Sequence, residues 1–246
     1  SAILVVNTDG GVRAWYRSRA GDWVPATMDR AQGAIARHAT TADRGYIAVG
    51  AAKDGRATLW TSGDGRVWSA LRPPRDASAL HAAAGSSAGV LLAGSVDGQG
   101  ALWWRPVGAR GWQPIGLPPD LASVDDVAIA DGRAWAIVGT TTTGTSAMWS
   151  RSEPAPAHGA WSGIPDLPGP VRDLVGGADG FAAIAEADGG RLVASADGRD
   201  WAVVADASSF STVASTTDGF VAAGPGGLLE GGPSQGFSLV TSAAPP

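Results

Sequence analysis

Apolar residues in this chain fall in short runs of strand length, each bounded by residues that turn the backbone. Tyr46–Gly50, Val90–Gly94, Ala134–Gly139, Phe181–Ala185 and Phe220–Gly224 are such runs. Asp9-Gly10, Asp54-Gly55, Asp97-Gly98, Asp188-Gly189 and Gly226-Gly227 follow them, and Asp131-Gly132, Asp179-Gly180 and Asp218-Gly219 precede three of them. These pairs tolerate the positive φ that tight hairpins need. No stretch carries helical periodicity, so the pattern predicts an all-β chain.

The runs repeat. Large apolar residues recur eight apart, at Trp15 and Trp23, Trp60 and Trp68, Trp104 and Trp112, Val193 and Trp201, and Leu229 and Phe237. Trp149 and Trp161 join the series if Ala155 to His158 is an insertion. The second members stand 45, 44, 49, 40 and 36 residues apart. Four short strands in roughly 43 residues match one propeller blade. The fold expected is therefore a six-bladed β-propeller with four-stranded antiparallel blades, one domain over residues 1–246. Its repeats run about 1–30, 31–76, 77–121, 122–169, 170–207 and 208–246. In the third repeat the strands are expected at Ala79–Gly85, Val90–Gly94, Ala101–Arg105 and Trp112–Ile115, innermost to outermost. The first repeat begins at its second strand, near Ala2–Asn7. Either residues upstream or Phe237–Ser242 would supply its inner strand, although the eight-residue spacing favours Phe237 in an outer strand.

The turns before the outer strands carry a shared text. Ser62-Gly63-Asp64-Gly65-Arg66-Val67-Trp68 and Ser195-Ala196-Asp197-Gly198-Arg199-Asp200-Trp201 both read S-x-D-G-x-x-W, with degenerate copies at Ser18–Trp23, Pro106–Trp112 and Ser152–Trp161. This resembles the Asp-box, or bacterial neuraminidase (BNR) repeat, of sialidase-like propellers. Its physical reading is structural: the aspartate accepts turn amides, the glycine takes a left-handed φ, and the tryptophan packs between sheets.

A sialidase resemblance would imply an arginine triad, a tyrosine nucleophile with a glutamate, and an acid/base aspartate. The family's F/Y-R-I-P string is missing, Tyr16-Arg17-Ser18 and Leu71-Arg72-Pro73 being nearest. Tyr16 and Tyr46 are the only tyrosines, and the glutamates are Glu153, Glu186 and Glu230. The set cannot be assembled, so no catalytic residues are assigned and a non-catalytic member is expected. His38, His81 and His158 have no metal-ligand spacing, and neither metal nor cofactor is expected. Asp125-Asp126 could meet a hard cation, but reads better as a solvated strand end.

Composition narrows the partner. A net charge of −5, with Lys53 the sole lysine and no basic run, speaks against nucleic acid. No apolar stretch approaches the ~20 residues of a membrane helix, and cysteine is absent. Aligned on their second strands, the repeats place Arg37, His81, Asp126, Arg172 and Ser211 at one inner-strand position, with His38, Asp173 and Thr212 one residue away. Such a polar ring at a channel mouth is either a wet lining or a binding site. Pro-rich loops at Leu71–Asp76, Leu117–Leu121 and Ile164–Pro170 would rim the same face.

The expectation is a monomeric, extracellular or cell-envelope interaction module with a protein or glycan partner. One alternative is a glycan-binding propeller, because Leu4–Trp23 is similar to a repeat of six-bladed fucose-binding lectins. The other is a channel-face hydrolase or lyase using His81 with Asp126.

Overall fold

Short apolar runs, broken every few residues by glycine turns, fold the chain into hairpins. In a computed structural model they form six sheets in chain order. The structure describes all residues except 1, 43–44, 131–133, 153–159, 188–189, 206–209, 217, 226 and 241–246. The expected turns at Asp131-Gly132 and Asp188-Gly189, Gly226, and the insertion with Glu153 and His158 lie outside the described residues. The fold is a six-bladed β-propeller.

Blade 1 holds β1 (Ile3–Thr8), β2 (Gly11–Arg17) and β3 (Trp23–Pro25); blade 2 holds β5 (Ile35–Ala42), β6 (Gly45–Ala51), β7 (Ala57–Ser62) and β8 (Val67–Leu71). Between them lies the two-residue β4 (Thr27–Met28). Blade 3 is β9 (Ala79–Gly85), β10 (Gly89–Val96), β11 (Gln99–Pro106) and β12 (Gln113–Ile115). Blade 4 is β13 (Leu121–Ala130), β14 (Ala134–Thr141), β15 (Ser146–Ser152) and β16 (Ser162–Gly163). Blade 5 is β17 (Val171–Gly177), β18 (Gly180–Ala185), β19 (Arg191–Ser195) and β20 (Ala202–Ala205). Blade 6 is β21 (Thr212–Ser215), β22 (Phe220–Gly224), β23 (Gly227–Gly232) and β24 (Gly236–Leu239).

The chain divides into two compact units: Ser1–Leu117 with Leu121–Asp125, and Pro118–Asp120 with Asp126–Pro246. In the first, cores form between blades 1 and 2 around Val12, Trp60 and Trp68, and between blades 2 and 3 around Ile47, Leu59, Leu92 and Trp103. In the second they form around Ile137's neighbours Ala136 and Val138 with Leu174 and Phe181, then around Ile184, Phe210 and Phe220. Within each unit neighbouring blades hide their faces against one another, which is why these strands read apolar on both sides. Trp68, 1% exposed, alone removes enough apolar area to contribute about 1.5–3 kcal/mol.

Two details differ from the sequence reading. Thr27–Met28, read as the end of repeat 1, pairs in parallel with β8 and makes blade 2 five-stranded. The N–H of Thr27 donates to Arg66 O and that of Asp29 to Trp68 O, so the connecting segment covers an outer edge otherwise left unpaired. In blade 3 the partner of Trp112 is Trp103, nine residues earlier, not Trp104. Trp103 is opposite Leu92 as Trp60 is opposite Ala48, and the intervening turn is one residue longer. As the eight-residue spacing favours, β24 pairs with β23 as an outer strand, and among the described residues blade 1 holds β1, β2 and β3.

Candidate functional site

The two S-x-D-G-x-x-W turns have one geometry. Gly65 N donates to Ser62 Oγ at 2.9 Å, Arg66 N to Asp64 Oδ1 at 2.8 Å, and Trp68 Nε1 to Gly65 O at 3.0 Å. In blade 5 Gly198 N reaches Ser195 Oγ at 2.9 Å, Arg199 N reaches Asp197 Oδ1 at 2.8 Å, and Trp201 Nε1 reaches Gly198 O at 3.1 Å. Both glycines have φ of 79°. The backbone N–H of Arg66 holds the Asp64 carboxyl below its ordinary value, and that of Arg199 does the same for Asp197. These aspartates are occupied in building turns.

In blades 1, 3 and 4 arginine takes the place of this serine, whereas blade 6 has Gly231 there. Arg105 stacks on Trp112 at 4.7 Å, and Arg151, only 5% exposed, lies 4.7 Å from the ring of Trp135 and 5.3 Å from that of Trp161. Burial lowers both guanidinium groups from their ordinary value. Arg17 holds the same position in blade 1, and its Nε donates to Gly21 O. The signal was legible: Arg17, Arg105 and Arg151 each stand two residues after the strand-centre tryptophans Trp15, Trp103 and Trp149.

The inner strands bear the candidate binding position. Ladder register skips Arg37 between Ala36 and His38, His81 between Leu80 and Ala82, and Arg172 between Val171 and Asp173. Each is the extra residue of a β-bulge, a device that frees and re-aims a side chain. In blade 6, Ser211 N donates to Ala223 O, the residue that Thr212 already opposes, and Ser211 Oγ leans on the same oxygen. Asp126 does not share this position. The buried–exposed–intermediate–buried pattern of Val124-Asp125-Asp126-Val127 matches Val171-Arg172-Asp173-Leu174, so Asp125 is the counterpart of Arg172. Aligning those two tetrapeptides directly would have revealed it.

The next position has a different task. His38 Nδ1 accepts Ala83 N at 3.3 Å, Asp126 Oδ2 accepts Leu174 N at 3.1 Å, and Asp173 Oδ2 accepts Val213 N and Thr212 Oγ1, each at 2.8 Å. Each acceptor satisfies an inner-strand N–H of the following blade. Where blade 3 has Ala82 instead, Val127 N turns to Asp126 Oδ1 at 2.8 Å. His38, Asp126 and Asp173 are staples between blades.

Arg37, Arg172 and Ser211 are exposed and His81 is half-buried, and Arg37, His81 and Arg172 interact with each other or with loops. In the first unit Arg37 Nη1 donates to His81 Nδ1 at 2.7 Å, which requires a neutral acceptor nitrogen. Burial, followed by the Arg37 charge, lowers the His81 imidazole from its ordinary value, with Asp125 pulling the other way. In the second unit Arg172 Nη2 donates to Phe210 O at 2.5 Å and Nη1 lies 3.8 Å from Glu186 Oε1.

At the same strand ends the Leu71–Asp76 loop is fixed by two indole donors, Trp112 Nε1 to Arg72 O at 3.2 Å and Trp103 Nε1 to Asp76 Oδ1 at 3.1 Å. It borders a cleft of about 940 Å³ lined by Arg56, Arg72, Pro73, Pro74 and Arg75 among others. A cavity of about 510 Å³ opens at the opposite strand ends of blades 2 and 3, near Tyr46, Ser62 and Arg105. Neither is lined by Arg37 or His81. Among the described residues no group of three His, Asp or Glu side chains could hold a metal, and no helix is long and apolar enough to cross a membrane.

No protein-family model matches the chain, and no curated protein matches it. Solved structures do match. A structure described as YCF48 bound to D1 peptide is similar over 96% of this chain and 72% of its own, with TM-score 0.57 and 16% identity. A chain of a nidogen–laminin complex is similar over 92% of this chain and 87% of its own, with TM-score 0.58 and 8% identity. The GH74 xyloglucanase from Xanthomonas campestris is similar over 93% of this chain but 43% of its own, with TM-score 0.58 and 15% identity. At these identities the likeness is one of fold.

Proposed function

We propose that this propeller is a non-catalytic interaction module of the Asp-box type, extracytoplasmic, which holds a protein partner at the strand ends bearing Arg37, His81 and Asp125. The observation that carries the reading is the pre-organised rim there. The loop Leu71–Asp76, stiffened by two prolines and anchored by Trp103 and Trp112, presents Arg72 and Arg75 beside Arg56. A rim ordered in advance loses less entropy when a partner docks. Among the described residues Arg72 and Arg75 form no ion pair, so their charges are available to a partner's carboxylates. Two of the similar structures were solved with partners, a D1 peptide and a nidogen–laminin complex, which supports an interaction role.

The residues expected for hydrolytic chemistry are otherwise engaged: His81 Nδ1 accepts from Arg37, and Asp126 accepts backbone N–H groups. A photo-crosslinking residue at exposed Ser78, compared with one at exposed Val67 on β8, tests the reading in native cell-envelope extract. Adducts from position 78 that vanish in an Arg37→Ala/Arg72→Ala/Arg75→Ala background support it. Equal labelling from both positions, or adducts indifferent to those changes, would overturn it.

A further inference from the structure

We infer that Arg37, His81 and Asp125 form a proton-operated switch: neutral His81 holds the Arg37 guanidinium, and protonated His81 turns to Asp125 and lets it go. All three residues lie in the first compact unit. They stand on β5, β9 and β13, successive inner strands that supply a permanent cation, an imidazole and a carboxylate at matching positions.

The resting pair fixes the protonation state. Arg37 Nη1 donates to His81 Nδ1 at 2.7 Å, and a guanidinium has donors only. Nδ1 must therefore offer its lone pair, which leaves the ring proton on Nε2. A second proton makes both ring nitrogens donors, so the same contact would set donor against donor and cation against cation. That pairing cannot persist. Both side chains are placed to move apart: Arg37 is exposed, His81 is half-buried, and each is the extra residue of a bulge.

The surroundings decide where the imidazolium goes. Of the strands packed on β9, β7 and β10 carry no charged or titratable side chain. β6 carries Tyr46, which lies at the opposite strand ends. On β5, His38 stands beside Arg37 with its Nδ1 accepting Ala83 N. On β13, Asp126 is turned to Val127 N and Leu174 N. Asp125 is exposed, takes a hydrogen bond from Ser123 Oγ at 3.1 Å, and already favours the protonated ring through its charge. It is the acceptor that the imidazolium finds.

Burial and the Arg37 charge keep the ring neutral down past its ordinary value of 6.5, so the switch trips on the acid side of neutrality. Below that point the strand ends gain one positive charge and a released guanidinium, ready to fork onto a carboxylate. The device rests on the contacts of these three side chains and does not depend on the partner proposed above.

NMR of the whole isotope-labelled protein from about pH 8 to pH 5 tests it. At the upper end His81 should be the Nε2–H tautomer. The Arg37 guanidinium resonances should then shift with the same midpoint as the His81 ring, and His81→Gln should abolish that shift. Arg37→Met removes the donor and the charge that favour the neutral ring, and should raise the His81 midpoint. Asp125→Asn should lower it. If a variant does not fold, the tautomer and the shared midpoint of the native protein decide the matter. An Nδ1–H tautomer, Arg37 resonances indifferent to the His81 titration, or a midpoint unmoved by either substitution would overturn the switch.

Discussion

At the scale of single residues, side chains that satisfy backbone groups matter more than side chains that merely carry charge. Ser62 is buried and its Oγ is the acceptor for Gly65 N. Ser62→Ala should therefore lower stability by about 1–2 kcal/mol, seen as a lower urea midpoint at unchanged slope. Asp173→Ala strands both Val213 N–H and the Thr212 hydroxyl and should cost about 1–3 kcal/mol in the same assay. One residue earlier in the repeat the expectation reverses. Arg37 is exposed at a bulge, and Arg37→Ala should change stability by no more than about 0.5 kcal/mol while weakening the proposed partner. If Arg37→Ala destabilises as much as Asp173→Ala, the division between bulge and staple is mistaken.

At the scale of elements, the turns set the register of each blade. Gly65 and Gly198 sit at φ of 79°, and a Cβ added there would lie 2.9 Å from Ile3 Cγ2 or 3.0 Å from Phe181 Cε2. Gly55 has φ of 81° with nothing within 4 Å of such a Cβ. All three Gly→Ala changes should cost about 1 kcal/mol of backbone strain, with a further loss at 65 and 198 from contact. Equal losses at all three positions in thermal melts would remove the packing part of that account. These turns were legible because the serine, aspartate and tryptophan bond to atoms only two or three residues away. The bulges were not, since a bulge is defined by two residues facing one across a ladder. The repeat alignment therefore places Asp126 at the position that the burial patterns of β13 and β17 give to Asp125. β4 was illegible for a related reason: two residues become a strand only because β8 offers them an unpaired edge.

At the scale of the whole molecule, acidification should weaken the fold in two steps of the same sign. The native carboxyls of Asp64 and Asp197 lie below the ordinary value of 3.8, so below that pH the unfolded chain binds more protons than the native one. Their contribution is complete above 3.8 and is lost as pH falls through the native values. His81 lies below its ordinary 6.5, so its contribution is likewise complete above 6.5 and declines as pH drops through that value toward the native one. Urea midpoints measured from pH 7 to pH 2 should fall in both windows. His81→Gln should flatten the upper one, and Asp64→Asn with Asp197→Asn should shrink the lower. A profile unchanged by either substitution would show that other groups govern acid sensitivity.

The amino-acid sequence alone determined the strands, their sixfold recurrence and the turn chemistry, because short apolar runs and Asx-type hydrogen bonding are local and repeat with the chain. Tertiary structure decided which polar residue of an inner strand staples the next blade and which is freed, since donor and acceptor there lie 40 or more residues apart.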